Sequence, residues 1–241
     1  MKVYIQTDKS GTFYNVNAYT AYVGFNALGF EINKYVDADL IDEPDSEAIF
    51  VGGIGSVRKR LRKLKLPIPE EIEYPAELTL FLGRKVWKST LREVINENRF
   101  PLFIKPFQTK LFTGKVISGF KDFIGLNFNE TVPVWCSEVI QFETEWRCFI
   151  RYNDILDIRY YKGKWDNKID LEMVYNAISA YTSQPKSFSL DVGMDSDGTC
   201  HLVEVNDGHS LGTYGIGPVT YAKFLSARWA ELTGTVDYLK F

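Results

Sequence analysis

The sequence predicts an α/β (α+β) protein, a short alternating α/β region followed by a longer set of antiparallel strands with helices. Three observations carry this. Up to about residue 65, apolar residues switch between strand-like alternation and helical spacing. From Leu102 onward, strand-like segments follow one another with only turns between them. Two helical patterns, Leu171–Tyr181 and Tyr221–Leu232, then break into and close that series. With 241 residues, 45% of them hydrophobic and 15% aromatic, the chain can bury a substantial core. It has room for one large domain or for two or three tightly joined subdomains.

Lys2–Thr7 alternates as a strand, and Ala18, Ala21, Tyr22, Phe25 and Leu28 give a helix over Asn15–Leu28 that Gly29 can end. Phe30–Tyr35 and Glu47–Val51 read as further strands, the latter breaking at Gly52-Gly53. Ser56 is the expected cap of a helix through Val57, Leu61 and Leu64. The basic residues between Arg58 and Lys65 read as that helix's solvated face rather than a nucleic-acid site. Leu66-Pro67-Ile68-Pro69 opens an extended linker running past Pro75, and a helix is expected to end near Asn98.

Beyond Leu102–Pro106, strands are expected at Gly114–Phe120, Val132–Gln141, Trp146–Tyr152 and Ile155–Tyr161, with Asn153-Asp154 as a tight turn. Ser187–Val192 and Thr199–Val205 are joined by Asp195-Ser196-Asp197-Gly198, a strong hairpin signal. No internal repeat is evident.

The formal net charge of -3 gives no general attraction to nucleic acid or anionic membrane. No apolar run approaches the ~20 residues that span a bilayer, and Met1–Ile5 lacks signal-peptide character. Cys136, Cys148 and Cys200 are too few and too far apart for a disulfide framework or a structural zinc site. They read as small buried hydrophobes in a reducing, cytoplasmic compartment.

The most informative segment runs from Ser189 to Gly212. Asp191 lies between apolar residues, while Glu204 and Asn206 are two apart and share a sheet face. If the 195–198 turn closes the hairpin, Asp191 comes opposite that pair. Three oxygen-bearing side chains then suit a hard divalent cation such as magnesium. A wet hairpin face would give the same pattern. Lys105 ends a strand before a loop, residues 106–114, containing Gln108, Thr109, Lys110 and Thr113; such a loop can cover phosphates. His201 is at odd separation from Glu204 and is expected on the opposite face, and His209 is expected in a solvated loop.

The ordered set Phe103-Ile-Lys-Pro106, Ser137-Glu-Val-Ile-Gln-Phe-Glu-Thr-Glu-Trp-Arg147, Ser189-Leu-Asp191 and Leu202-Val-Glu-Val-Asn206 resembles the ATP-grasp superfamily over roughly residues 80 to 235. Its layout is similar to that of ligases that add amino acids to peptide or protein termini. The resemblance implies two sheet-containing lobes enclosing ATP. It divides the chain into a reduced α/β N-terminal domain (1–77) and an ATP-grasp domain (78–241), with about 101–141 as lid lobe and 142–241 as metal-binding lobe. It gives Lys105 to the ATP phosphates, assisted by Lys85 or Lys88, with Arg84 a third candidate. Glu138, Val139 and Ile140 would form the hinge that reads adenine, and Glu138 or Glu145 would hold its amino group or the ribose. Arg147, and Arg159 on the next strand, would stabilise phosphate or acyl-phosphate charge. Asp191, Glu204 and Asn206 match the ligands for magnesium (Mg2+), two ions in this family. The implied activity joins a carboxylate substrate to an amine acceptor, an amino acid or peptide, and leaves a homodimer open. A nucleotide sensor or scaffold and a small-molecule phosphotransferase would share the same ATP site.

The loop after Lys105 lacks the family's glycine- and serine-rich run, and Asp207-Gly-His-Ser replaces the proline-containing turn usual after the last ligand. Substrate identity is therefore not legible. The exposed-looking turn Tyr160–Trp165 is the expected substrate-facing edge; most other aromatics read as core.

Overall fold

Lys2–Gln6 buries every second side chain and forms β1, the centre of a parallel three-stranded sheet flanked by β2 (Glu31–Tyr35) and β3 (Ile49–Val51). The computed structural model describes residues 1–42, 45–107, 111–126 and 129–241. Between β1 and β2 runs α1 (Val16–Ala27), capped by Asn15, whose side chain accepts from the Ala18 amide. Following β3, α2 (Ile54–Lys63) starts at once from a Gly53 cap, so Ser56 sits inside its first turn rather than capping it. The Gly52-Gly53 turn makes the early start possible. Nor is α2's basic side simply solvated: Arg60 is fully buried and donates to the Ile41 and Asp45 carbonyls.

The second sheet is antiparallel, in the order β4 (Val86–Thr90), β7 (Pro133–Ser137), β5 (Leu102–Pro106), β6 (Lys115–Ile117). One face packs on α3 (Leu91–Glu97), which Thr90 and Glu93 open with a reciprocal capping box. This sheet takes in β4, and α3 packs on it, both upstream of residue 101. Both β6 and β7 are shorter than the alternation suggests. Gln108, Thr109 and Lys110 lie outside the described residues.

The third sheet, also antiparallel, has the order β11 (Cys200–Asp207), β10 (Ser187–Met194), β8 (Thr144–Arg151), β9 (Asp154–Gly163). The β8–β9 turn is centred on Tyr152 and Asn153, both with positive φ, one residue earlier than expected, because Arg151 pairs with Asp154. One face buries Cys148, Leu190 and Leu202 against α4 (Leu171–Ala180) and the 3₁₀ turn Ala76–Phe81. The long α5 (Pro218–Thr233) closes the first sheet, packing Tyr221, Phe224, Leu225 and Trp229 with Val3, Ile5, Phe25 and Phe50.

All three cysteines are buried free thiols. Among the described residues, no helix is long and apolar enough to cross a membrane.

Two glycines permit close approaches between segments. At Gly83 (φ +60) an added Cβ would lie 1.9 Å from His201 Nδ1, and at Gly193 it would lie 2.4 Å from the Phe142 ring. Gly83→Ala is expected to cost about 2 kcal/mol, combining left-handed backbone with overpacking. Chemical denaturation checks this, with a lower midpoint at unchanged slope.

Candidate active site

Strand alternation decides which side chains meet. In the third sheet Asp191 pairs directly with Glu204, and Ser189 with Asn206, so the three expected metal-site residues share one face. The hairpin owes this to its turn, where Asp195 Oδ1 accepts from the amides of Asp197 and Thr199, and Gly198 takes φ 81. Arg147 pairs across β8–β10 with Asp191 and joins the same face.

Each carboxylate holds a cation. Arg147 donates to Asp191 in a two-pronged pair, Nε–Oδ1 2.8 Å and Nη2–Oδ2 2.6 Å, and the Tyr214 ring stacks 4.4 Å from the guanidinium carbon. Burial pushes the Asp191 carboxyl up to about 6, even against those Arg147 hydrogen bonds. Lys105 Nζ reaches across from the second sheet to Glu204 Oε2 at 2.6 Å. Burial opposes the charge on Glu204, but Lys105 and the Asn206 amide hold its carboxyl below the usual range. Burial likewise works against the Lys105 ammonium, and Glu204 and Glu73 together keep it above its ordinary value.

This donor set fits a hard cation. Asp191 is a buried carboxylate and Glu204 a partly exposed one, and Asn206 gives its Nδ2–H to Glu204 Oε1 at 3.0 Å, leaving its carbonyl oxygen for a third contact. Among the described residues no trio of His, Cys, Asp or Glu forms a metal-type cluster. The set is two acids and an amide.

In the second sheet, Lys88 and Lys105 both pair with Trp135 and flank it on one face. The Lys88 ammonium lies 4.9 Å from the Trp135 ring and 5.2 Å from that of Phe107. Lys85, two residues before Trp87, has its ammonium 5.7 Å from that ring and so shares Trp87's side, opposite Lys88. Arg84 is pinned to the Leu202 and Val203 carbonyls, 2.8 Å each, and ties the linker to β11. Of the two lysine candidates only Lys88 shares a sheet face with Lys105, with Trp135 between them, while Arg84 lies within electrostatic reach of Glu204.

Glu138, Val139 and Ile140 leave β7 towards β8, joining the two antiparallel sheets. The Glu138 carboxylate accepts from the Lys85 amide at 2.8 Å, closing the end of β4. Glu145 is taken by Lys162 and by the Tyr161 hydroxyl (2.9 Å). Arg159 is the cross-strand partner of Arg147 but is held by Asp157 at 2.6 Å.

His201, His209 and Glu73 depart from expectation. Val203 is an extra residue in β11, a β-bulge between the Asp191–Glu204 and Val192–Leu202 pairs. It resets the alternation and puts His201 on the same face as Glu204, opposite Gly193. The His209 side chain is only 6% exposed, with Nδ1 2.7 Å from Asp207, so it is not a solvated loop residue. Glu73, on the linker, puts its carboxylate 2.5 Å from Lys105 Nζ; nothing in its local sequence marks it. The Tyr160–Trp165 edge is exposed as expected, Trp165 at 82%.

Next to this network lies a cavity of about 530 Å³. It is bounded by the Gly52-Gly53 turn, the start of α1, Arg58, the linker at Glu70–Glu73 and His209, and it reaches Lys105 and Asn206.

No curated protein matches the sequence. The fold is similar to that of a RimK domain protein ATP-grasp from Sphaerobacter thermophilus (TM-score 0.63, 14% identity, 93% of this chain and 99% of that chain covered). An L-amino acid ligase from Bacillus licheniformis aligns with TM-score 0.61 at 11% identity, over 100% of this chain and 77% of that chain. A D-alanine–D-alanine ligase from Bacillus anthracis, solved with ATP, aligns with TM-score 0.54 at 16% identity, over 96% of this chain and 95% of that chain. The family model for the ATP-grasp domain, R2K clade family 2, matches residues 81–224. That match runs from the 3₁₀ turn before β4 into α5 and takes in both antiparallel sheets, so the chain belongs to the ATP-grasp superfamily, in the R2K clade.

Proposed function

We propose that the protein is an ATP- and magnesium-dependent ligase that joins a carboxylate to an amine. The observation that carries this reading is the alternation of charge in one network: Lys105 on Glu204 and Arg147 on Asp191. The two cations are suited to phosphate oxygens, and the two acids with Asn206 to metal ions. Magnesium, as two ions, would neutralise phosphate charge, held by Asp191, Glu204 and Asn206.

Phosphoryl transfer depends mainly on positioning and charge neutralisation. The γ-phosphoryl passes to a carboxylate oxygen and ADP leaves. The amine then attacks the carbonyl carbon, the C–O bond to phosphate breaks, and a proton departs from the nitrogen. Lys105 and Lys88 would hold phosphate oxygens, with Arg147 meeting the acyl-phosphate charge. Residues 138–140 would take adenine. The cavity beside Lys105 and Asn206 is the place for the carboxylate and the amine, an amino acid or peptide.

Calorimetric titration with ADP and magnesium tests the nucleotide half. Lys88→Ala is expected to weaken binding about tenfold, and Lys85→Ala by less than about twofold; equal losses would reject the assignment. For the reaction, ADP release is measured against pooled amino acids and peptides, with mass analysis of the product. Condensation with loss of water supports the ligase, a stable phosphate ester indicates a phosphotransferase, and binding without turnover indicates a sensor.

A further inference from the structure

Glu73 belongs to no strand or helix, yet it occupies the centre of the site. Its Oε2 lies 2.5 Å from Lys105 Nζ, and Glu204 Oε2 lies 2.6 Å from the same ammonium. The three side chains are only 12%, 22% and 21% exposed for Glu73, Glu204 and Lys105. One ammonium therefore serves two acids where unpaired charge is costly.

The backbone that delivers Glu73 is held firmly. Its φ of 53 is left-handed, uncommon for a residue with a Cβ, and such a conformation persists only when surrounding contacts fix it. The Glu73 carbonyl accepts from the Val205 amide at 2.9 Å in an isolated antiparallel bridge, next to Glu204 in sequence. Two residues earlier, Glu71 pairs with Arg58 of α2 at 3.2 Å. The linker is thus fixed on both sides of the carboxylate that meets Lys105.

We propose that Glu73 is a positioning residue of the nucleotide site, holding the Lys105 ammonium against Glu204 in nucleotide-free protein and competing with phosphate for it. This rests on the reading of Lys105 as a phosphate contact. A nucleotide must draw Lys105 away from Glu73, so the resting pair sets a threshold on binding. Glu73 is therefore expected to lower nucleotide affinity, unlike a residue that contacts the nucleotide directly.

The test is calorimetric titration of the full chain with ADP, without metal and then with magnesium, for wild type, Glu73→Gln, Lys105→Met and the double variant. Glu73→Gln is expected to tighten metal-free ADP binding about tenfold, the scale of one charge-assisted hydrogen bond. In the Lys105→Met background the same change should fall within about twofold. Unchanged or weaker binding by Glu73→Gln overturns the proposal, as a purely structural role for the linker predicts. An equal gain in both backgrounds also overturns it, because Glu73 would then act only as general negative charge. Should Lys105→Met fail to fold, Glu73→Asp takes its place. It keeps the charge but withdraws it by one methylene; a gain over wild type supports the contact, and wild-type affinity rejects it. If wild type binds no ADP even with magnesium, the nucleotide reading fails and takes the proposal with it. If wild type binds but Glu73→Gln shows no gain, only the proposal fails.

Discussion

Replacing Lys105 by methionine is expected to reduce ATP turnover by about a hundred- to a thousandfold, the usual loss when one preorganised charge donor is removed from a transition state. The side chain bridges the two antiparallel sheets, from β5 to Glu204 on β11. Its loss would remove the proposed phosphate contact and leaves the largely buried Glu73 and Glu204 without their shared counter-ion. Both consequences are separable. Turnover is read from ADP release, and the repulsion from the melting temperature, which magnesium should partly restore by supplying positive charge. A variant that keeps more than about a tenth of wild-type turnover would remove Lys105 from the reaction.

Replacing Asp207 by alanine should have the largest effect on stability, about 3 kcal/mol, because it removes a two-pronged partner from the buried Arg228 guanidinium and leaves it only Glu231. Asp207 ends β11 and accepts from Arg228 of α5 at Nε (2.8 Å) and Nη2 (2.5 Å). It also takes the His209 amide at 3.0 Å. Burial opposes the charge, yet Arg228 and His209 hold the carboxyl far below its ordinary value of 3.8. A carboxyl depressed on folding adds stability that is complete above its unfolded pKa and declines as pH falls towards the folded one. The contribution is therefore full above pH 3.8 and is lost only in stronger acid. Denaturant midpoints measured at neutral pH and below 3.8 check both points: Asp207→Ala should be weaker at neutral pH and show a flatter acid decline. Parallel pH profiles for the two proteins would contradict this.

Much of the geometry of the candidate metal site could be read from the sequence, because it depends on local rules. Two-residue alternation places Glu204 with Asn206, and the Asp195–Gly198 turn sets the register that brings Asp191 opposite. The same rule fails three residues away, at His201, since a bulge at Val203 cannot be seen in an alternation of apolar side chains. That Lys88 and not Lys85 shares a face with Lys105 follows from the cross-strand register with Trp135, a pairing between strands some distance apart in sequence. Glu73 was not legible at all. It sits in an extended linker with no period, and its meaning comes from a backbone bridge to Val205 and an ion pair with β5. Ser56 shows the opposite error, a favourable cap residue passed over because Gly52-Gly53 lets the helix begin earlier.

The packing of α5 on the parallel sheet bears on the order in which the protein can fold. Trp229 Nε1 donates to the Ser46 carbonyl across a separation of 183 residues, and the Thr213 amide donates to Asn17 across 196. Strands β1 to β3 can pair early, but their apolar face stays open until a loop of that length has closed. Closing such loops is slow, and exposed sheet is prone to associate in the meantime. The antiparallel hairpins, whose partners are neighbours in the chain, have no such delay. The first strands in the sequence are therefore among the last to be finished, and a chaperone's protection would matter most for them.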